Sequence, residues 1–126
     1  MYSRLHDLRA GMTGASLDAL LVTGRENIYY LSGFTGSAGA LLVIADTHLL
    51  ASDFRYTSQA ALEAPEWPFM QVDGPLLPAL RARLADTGVA SVGYDASNLT
   101  LAQYAQLGGD DPALPFRLYP EPGLLT

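Results

Sequence analysis

Hydrolysis on a metal ion needs several His, Asp or Glu side chains brought together at ligand spacing. The chain has two histidines, His6 and His48, and they fall in separate predicted elements, the first helix and a hairpin strand. His6 stands beside Asp7 but has no H-x-x-x-H partner, so both histidines read as surface or capping residues. Asp110-Asp111 is the one adjacent acid pair, and its setting between Gly108-Gly109 and Pro112 reads as a solvated loop. Nucleophilic catalysis fares no better, since no G-x-S-x-G elbow surrounds Ser32, Ser37, Ser52 or Ser58. Gly33-x-x-Gly36-x-x-Gly39 has the look of a phosphate cradle, but a dinucleotide fingerprint requires G-x-G-x-x-G after a strand, and a P-loop requires a lysine that this chain lacks. Backbone shape explains these glycines better: Gly33 ends a helix with positive φ, and Gly36 and Gly39 permit a tight approach before a strand. The expectation is a chain with no catalytic and no metal-binding residues of its own.

The elements that position these residues are legible from apolar spacing. Leu5, Leu8 and Met12 share one helical face, which predicts a first helix from Ser3 to Gly11 or Thr13 with Gly14 as its stop. Ala19 to Val22 reads as a buried strand. Thr23 and Glu26 fit a capping box for a short helix through Leu31, ended by Ser32-Gly33. Ala40 to Ile44 is a continuous apolar run suited to a central strand, Asp46-Thr47 a polar break, and His48 to Ala51 an antiparallel return. Asp53 suits the N-cap of a helix from Phe54 to about Ala64, stopped by Pro65. A strand over Phe69 to Val72 follows. Gly74-Pro75 then opens a helix containing Leu76, Leu77, Leu80 and Leu84, closed by Gly88. Val89 to Tyr94 supplies the next strand. Thr100 and Gln103 fit a second capping box, with Leu101, Tyr104 and Leu107 along one face, and Phe116 to Tyr119 is a final strand. The sum is a three-layer α/β fold: a mixed, mainly parallel sheet of about six strands with one hairpin, and helices on both faces.

Composition narrows the function further. With 126 residues, 49% of them hydrophobic and 16% charged, the chain suits one globular domain with a single core. No apolar run reaches membrane-spanning length, and the N-terminus carries polar groups where a signal peptide would be apolar. Absence of cysteine removes disulfides and thiolate metal sites, so a cytoplasmic location is the expectation. Net charge is −6, and the seven basic residues are all arginines, scattered singly or in a pair. Nucleic-acid binding draws on clustered positive charge and is not expected.

Aromatic and charged residues near the glycines remain unabsorbed. Tyr29 and Tyr30 are helical neighbours that point in different directions, so one is expected to pack inward and the other to stand near the surface. Phe34 on its glycine-flanked loop is either a loop anchor or part of an exposed apolar surface for another domain or subunit. Arg55 lies in a first helical turn, where the helix dipole disfavours a cation. That placement calls for a carboxylate partner, in a local salt bridge or across an interface. Tyr56 completes the group of interface or substrate-access candidates: Tyr29, Tyr30, Phe34, Arg55 and Tyr56.

Asn27-Ile28-Tyr29-Tyr30-Leu31-Ser32-Gly33-Phe34-Thr35-Gly36-Ser37-Ala38-Gly39, then Asp53-Phe54-Arg55-Tyr56 and Gln59-Ala60, resembles the N-terminal domain of the creatinase, prolidase and Xaa-Pro aminopeptidase family in order and spacing. Leu17 to Thr23 extends the likeness; from Phe69 to Tyr119 it is one of alternating elements. The motif positions are Asn27, Gly33, Gly36, Gly39 and Asp53. The resemblance implies a small α/β unit over residues 1–126 that precedes a separate metallopeptidase domain and takes part in dimer contacts and access to the active site. In the family that second domain cleaves Xaa-Pro bonds with a divalent metal pair such as Mn, Co or Zn, so the partners implied are the protein's own catalytic domain and a second copy in a homodimer. The chain stops at Thr126, before such a domain, which implies a truncated or naturally split protein, inactive by itself. A stand-alone interaction module of the same fold is the alternative, and a small-molecule binder using the glycine loop ranks last.

Overall fold

The computed structural model describes residues 2–125. Six strands, β1 (Ala19–Val22), β2 (Ala40–Ile44), β3 (His48–Ser52), β4 (Phe69–Gln71), β5 (Ser91–Tyr94) and β6 (Arg117–Pro120), form one sheet in the order β4-β3-β2-β1-β5-β6. β2 pairs antiparallel with both β1 and β3, and the other three pairings are parallel. β2 therefore runs against the other five strands. The carboxyl ends of β1, β3 and β5 and the amino end of β2 share one edge, as the registers Val22↔Leu41, Ala40↔Ala51 and Leu21↔Tyr94 require.

Both faces of the central strands are buried, which is why they read as unbroken apolar runs. Leu20, Val22, Leu41, Val43 and Leu50 face a layer made by α1 (Tyr2–Gly14), α2 (Arg25–Ser32) and α3 (Thr57–Glu63), through Leu5, Leu8, Met12, Ile28, Leu31 and Ala60. The alternate residues Ala19, Leu21, Ala40, Leu42 and Ala51 face α4 (Leu76–Thr87), through Leu77, Leu80 and Leu84, and Leu107 beside α5 (Leu101–Gln106). Three layers result, with the hairpin β2–β3 where the Asp46-Thr47 break predicts it.

Several local expectations change. The Thr23/Glu26 capping box does not form: Gly24 is the N-cap of α2 without a side-chain cap, and the Thr23 hydroxyl donates to Asn98 O at 2.9 Å. The helix expected over Phe54 to Ala64 is a 3-10 turn (Phe54–Tyr56) followed by α3, with Asp53 capping the turn. Leu101 is 89% exposed rather than packed with the buried Leu107, because α5 is short and presents only its end to the core. The Thr100/Gln103 box is complete. A second 3-10 turn, Ala96–Asn98, has no counterpart in the expected elements.

Candidate contact surface at the carboxyl edge of the sheet

Loops leaving the carboxyl ends of strands are where open α/β sheets build their sites, and the motif residues gather there. Asp95, just past β5, is buried and accepts from Asn27 Nδ2 at 3.0 Å and Asn98 Nδ2 at 2.9 Å. Asn27 is thus a brace from α2 to the end of β5. Gly24 passes so close that a Cβ there would lie 2.5 Å from Asn98 Nδ2 and 2.8 Å from Asp95 Oδ2.

The glycine loop is built around Phe34. Gly33 ends α2 with φ 87°, its N–H donating to Tyr29 O at 2.8 Å. Ser32 Oγ donates to Ile28 O and accepts from the Phe34 N–H, turning the chain inward. Phe34 is 1% exposed. A Cβ on Gly36 would sit 2.2 Å from Phe34 Cζ, and one on Gly39 would sit 3.3 Å from Phe34 Cε2 and 3.2 Å from Ala51 O. The glycine spacing is therefore the space that a buried phenylalanine needs. Of the two placements for Phe34, the loop anchor is correct and the exposed apolar surface is not: the small neighbours let the ring drop between loop and sheet. Tyr56 meets Phe34 edge-on, with ring centroids 5.6 Å apart at 85°, and its hydroxyl hydrogen-bonds Ser37 Oγ at 2.6 Å. That hydrogen bond draws the Tyr56 phenol below its ordinary range.

Arg55 finds its carboxylate two residues away. Asp53 Oδ1 accepts from the Arg55 backbone N–H at 3.0 Å and from Nε at 2.9 Å, and Oδ2 accepts from Nη2 at 2.8 Å. The pair holds the Asp53 carboxyl below its usual range and the guanidinium above its own. Of the two readings for Arg55, the local bridge is the one present, and the largely exposed side chain sets its guanidinium over the Tyr56 ring, 5.4 Å from the centroid. Tyr29 and Tyr30 are both more than half exposed, which corrects the expectation that one packs inward; Ile28 and Leu31 on the same helix fill the core instead. Tyr29 shares a groove of about 430 Å³ with Arg25, Phe34, Thr35 and Gly36. Tyr30 lies in a different cleft, its ring 4.0 Å beneath the Arg4 guanidinium.

The exposure of Phe54 and the bonds that join Thr35, Gln59 and Glu63 escape sequence reasoning. Phe54, 69% exposed, adds an aromatic to the edge. Glu63 accepts from the Thr35 N–H at 2.8 Å and from its hydroxyl, and Gln59 Nε2 donates to Thr35 Oγ1 at 3.0 Å. These bonds, that to the Thr35 backbone first, hold the Glu63 carboxyl below its ordinary range. Only the i, i+4 spacing of Gln59 and Glu63 hints at a shared partner; nothing local points to Thr35.

The remaining candidates are structural. His48 Nε2 hydrogen-bonds Glu66 O at 3.0 Å and its ring stands edge-on to Trp67 at 4.7 Å. Asp110 accepts from Tyr104 OH, which pushes that phenol up to about 12, and Asp111 Oδ1 accepts from the Ala113 N–H. Among the described residues no three His, Cys, Asp or Glu converge to hold a metal ion. The described residues do not supply the donor set that a divalent metal pair needs.

The carboxyl edge of this mixed sheet thus carries a glycine loop pinned by the buried Phe34, with exposed Tyr29 on α2 and Phe54 and Arg55 on the neighbouring 3-10 turn. The creatinase/prolidase N-terminal domain sequence pattern matches residues 4–110, and the chain belongs to that family. Its fold and sequence are similar to the N-terminal domain of the cytoplasmic peptidase PepQ from Mycobacterium tuberculosis, with TM-score 0.88 and 34% identity over 98% of this chain and 95% of that one. A Xaa-Pro dipeptidase from Bacillus anthracis also superposes with TM-score 0.88, at 25% identity, over 98% of this chain and 34% of that one. Among curated relatives, a probable Xaa-Pro aminopeptidase P of Pyricularia oryzae is 32% identical over 86% of this chain and 21% of its own length. The chain spans less than a third of the curated relatives it matches most strongly.

Proposed function

We propose that this chain is the non-catalytic N-terminal domain of a metal-dependent Xaa-Pro peptidase, aminopeptidase or dipeptidase, that acts in the cytoplasm as a homodimer. Catalysis belongs to a separate domain carrying a divalent metal pair of Mn, Co or Zn. The role of residues 1–126 is contact: Tyr29, Arg55, Tyr56 and Phe54 meet the catalytic domain or a second subunit and narrow access to the cleft. The observation that carries this reading is the convergence of the motif residues on one braced edge that exposes tyrosine and arginine, the side chains that dominate protein contacts, while their polar groups are engaged in holding the loop. Long superpositions on pieces of larger peptidases support the same reading. No helix among the described residues is long and apolar enough to cross a membrane.

The test is an assay of the purified chain on alanyl-proline with Mn²⁺, Co²⁺ or Zn²⁺ in turn. No hydrolysis above the metal blank is expected. Turnover that co-elutes with the folded chain and disappears with a chelator overturns the assignment.

A further inference from the structure

We propose that Glu63 is a positioning residue: its carboxylate latches the 33–39 loop onto α3 and thereby fixes the surface the loop presents. The inference rests on the contact reading for its importance, not for its geometry. Below, the loop is pinned by the buried Phe34 ring. Above, Thr35 is exposed, and every polar atom it offers is taken. Its N–H donates to Glu63 Oε1 at 2.8 Å, its hydroxyl donates to Glu63 Oε2 at 2.8 Å and accepts from Gln59 Nε2 at 3.0 Å, and its carbonyl accepts from Arg25 Nη2 at 3.3 Å. Gln59 Nε2 also donates to Glu63 Oε1 at 3.2 Å, so one carboxylate gathers three donors from the loop and its own helix.

An ionised acceptor makes these bonds stronger than neutral ones. The protein spends a charged residue at the end of α3, where the helix dipole opposes a carboxylate, and nothing in the packing of α3 demands it. The remaining charged side chain on Thr35 is Arg25 from α2, which holds the carbonyl from the other side. Thr35 is thus clamped between the two helices that flank the carboxyl edge, and Gly36 and Ser37 follow from it to Tyr56.

The latch is tested on the chain itself by amide exchange and NMR. In Glu63→Ala the Thr35 amide is expected to exchange about tenfold faster or more, the factor lost with a charge-assisted hydrogen bond, with the amides of β2 and β3 unchanged. Glu63→Gln, which keeps one acceptor oxygen, restores part of the protection. In the unaltered chain the Thr35 amide shift follows acidification. Because the folded carboxyl titrates below its unfolded counterpart, the latch is complete above the ordinary glutamate range and is lost as pH falls through the lower folded value. An unchanged Thr35 exchange rate in Glu63→Ala, or a Thr35 shift that ignores pH across the carboxylate range, overturns the proposal. Neither result bears on whether the chain is non-catalytic, which the dipeptide assay decides separately.

Discussion

Phe34 shows how a residue that suggests a binding surface becomes a structural pin. Its ring lies among Gly36, Gly39 and Tyr56 and sees almost no solvent. Phe34→Ala is expected to lower unfolding stability by about 3–5 kcal/mol, as for other fully buried aromatics cut to alanine. Gly36→Ala, which puts a methyl into that ring, is expected to cost about 1–3 kcal/mol. Urea denaturation measures both, and two near-neutral values would show that the ring is not the loop's anchor. The sequence makes Gly33 legible, because a glycine at a helix end needs only local geometry. Phe34 stays open at that level because its burial depends on Tyr56 and on the core it joins with Leu41 and Leu50, all supplied by other segments of the chain. Arg55 is legible in kind, an arginine requiring a carboxylate, and its partner Asp53 was in view as an N-cap. One aspartate performs both tasks, capping the turn and pairing with the guanidinium.

At the scale of elements, strands were easier to read than helix ends. Ala19 to Val22 and Ala40 to Ile44 are continuous apolar runs too short for helices of their own, and both strands fall on those bounds. Helix starts depend on rivals elsewhere in the chain: Thr23 gives its hydroxyl to Asn98 O, a partner that only the fold supplies, so the box with Glu26 is lost. Thr100 has no such rival, and its box with Gln103 forms with both bonds, Gln103 N–H to Thr100 Oγ1 at 3.1 Å and Thr100 N–H to Gln103 Oε1 at 2.9 Å. Thr100→Ala is expected to destabilise the chain by about 1 kcal/mol, a usual loss for an N-cap. Thr23→Ala, lacking a cap to lose, should leave α2 helicity unchanged. Circular dichroism with urea titration compares the two, and an equal loss of helix in both would contradict the assignment.

For the whole molecule, the sheet separates two roles. One face packs α4 and the residues around α5 against the core. The other carries α1, α2 and α3, and from its carboxyl edge come the glycine loop and the Asp53–Tyr56 turn. The order of elements made the three layers legible, since strands alternating with helices leave few other arrangements. The predicted hairpin already brings Thr35 to the edge of Arg55 and Tyr56, whereas the arrival of Tyr29 there was not legible, because it depends on β2 running against β1 as well. That reversal delivers the loop before β2 to the same edge as the turn after β3. It also explains why the motif stays compact in space while spread along the chain.

The contact surface we propose for a metallopeptidase domain lies at this edge. Hydrogen–deuterium exchange tests it directly, comparing residues 1–126 alone with the same residues joined to a creatinase/prolidase-type catalytic domain. The account predicts added protection at Tyr29, Thr35 to Ser37 and Phe54 to Tyr56, with α4 and α5 unchanged. Equal exchange at those segments in both proteins, or protection confined to α4 and α5, would contradict it.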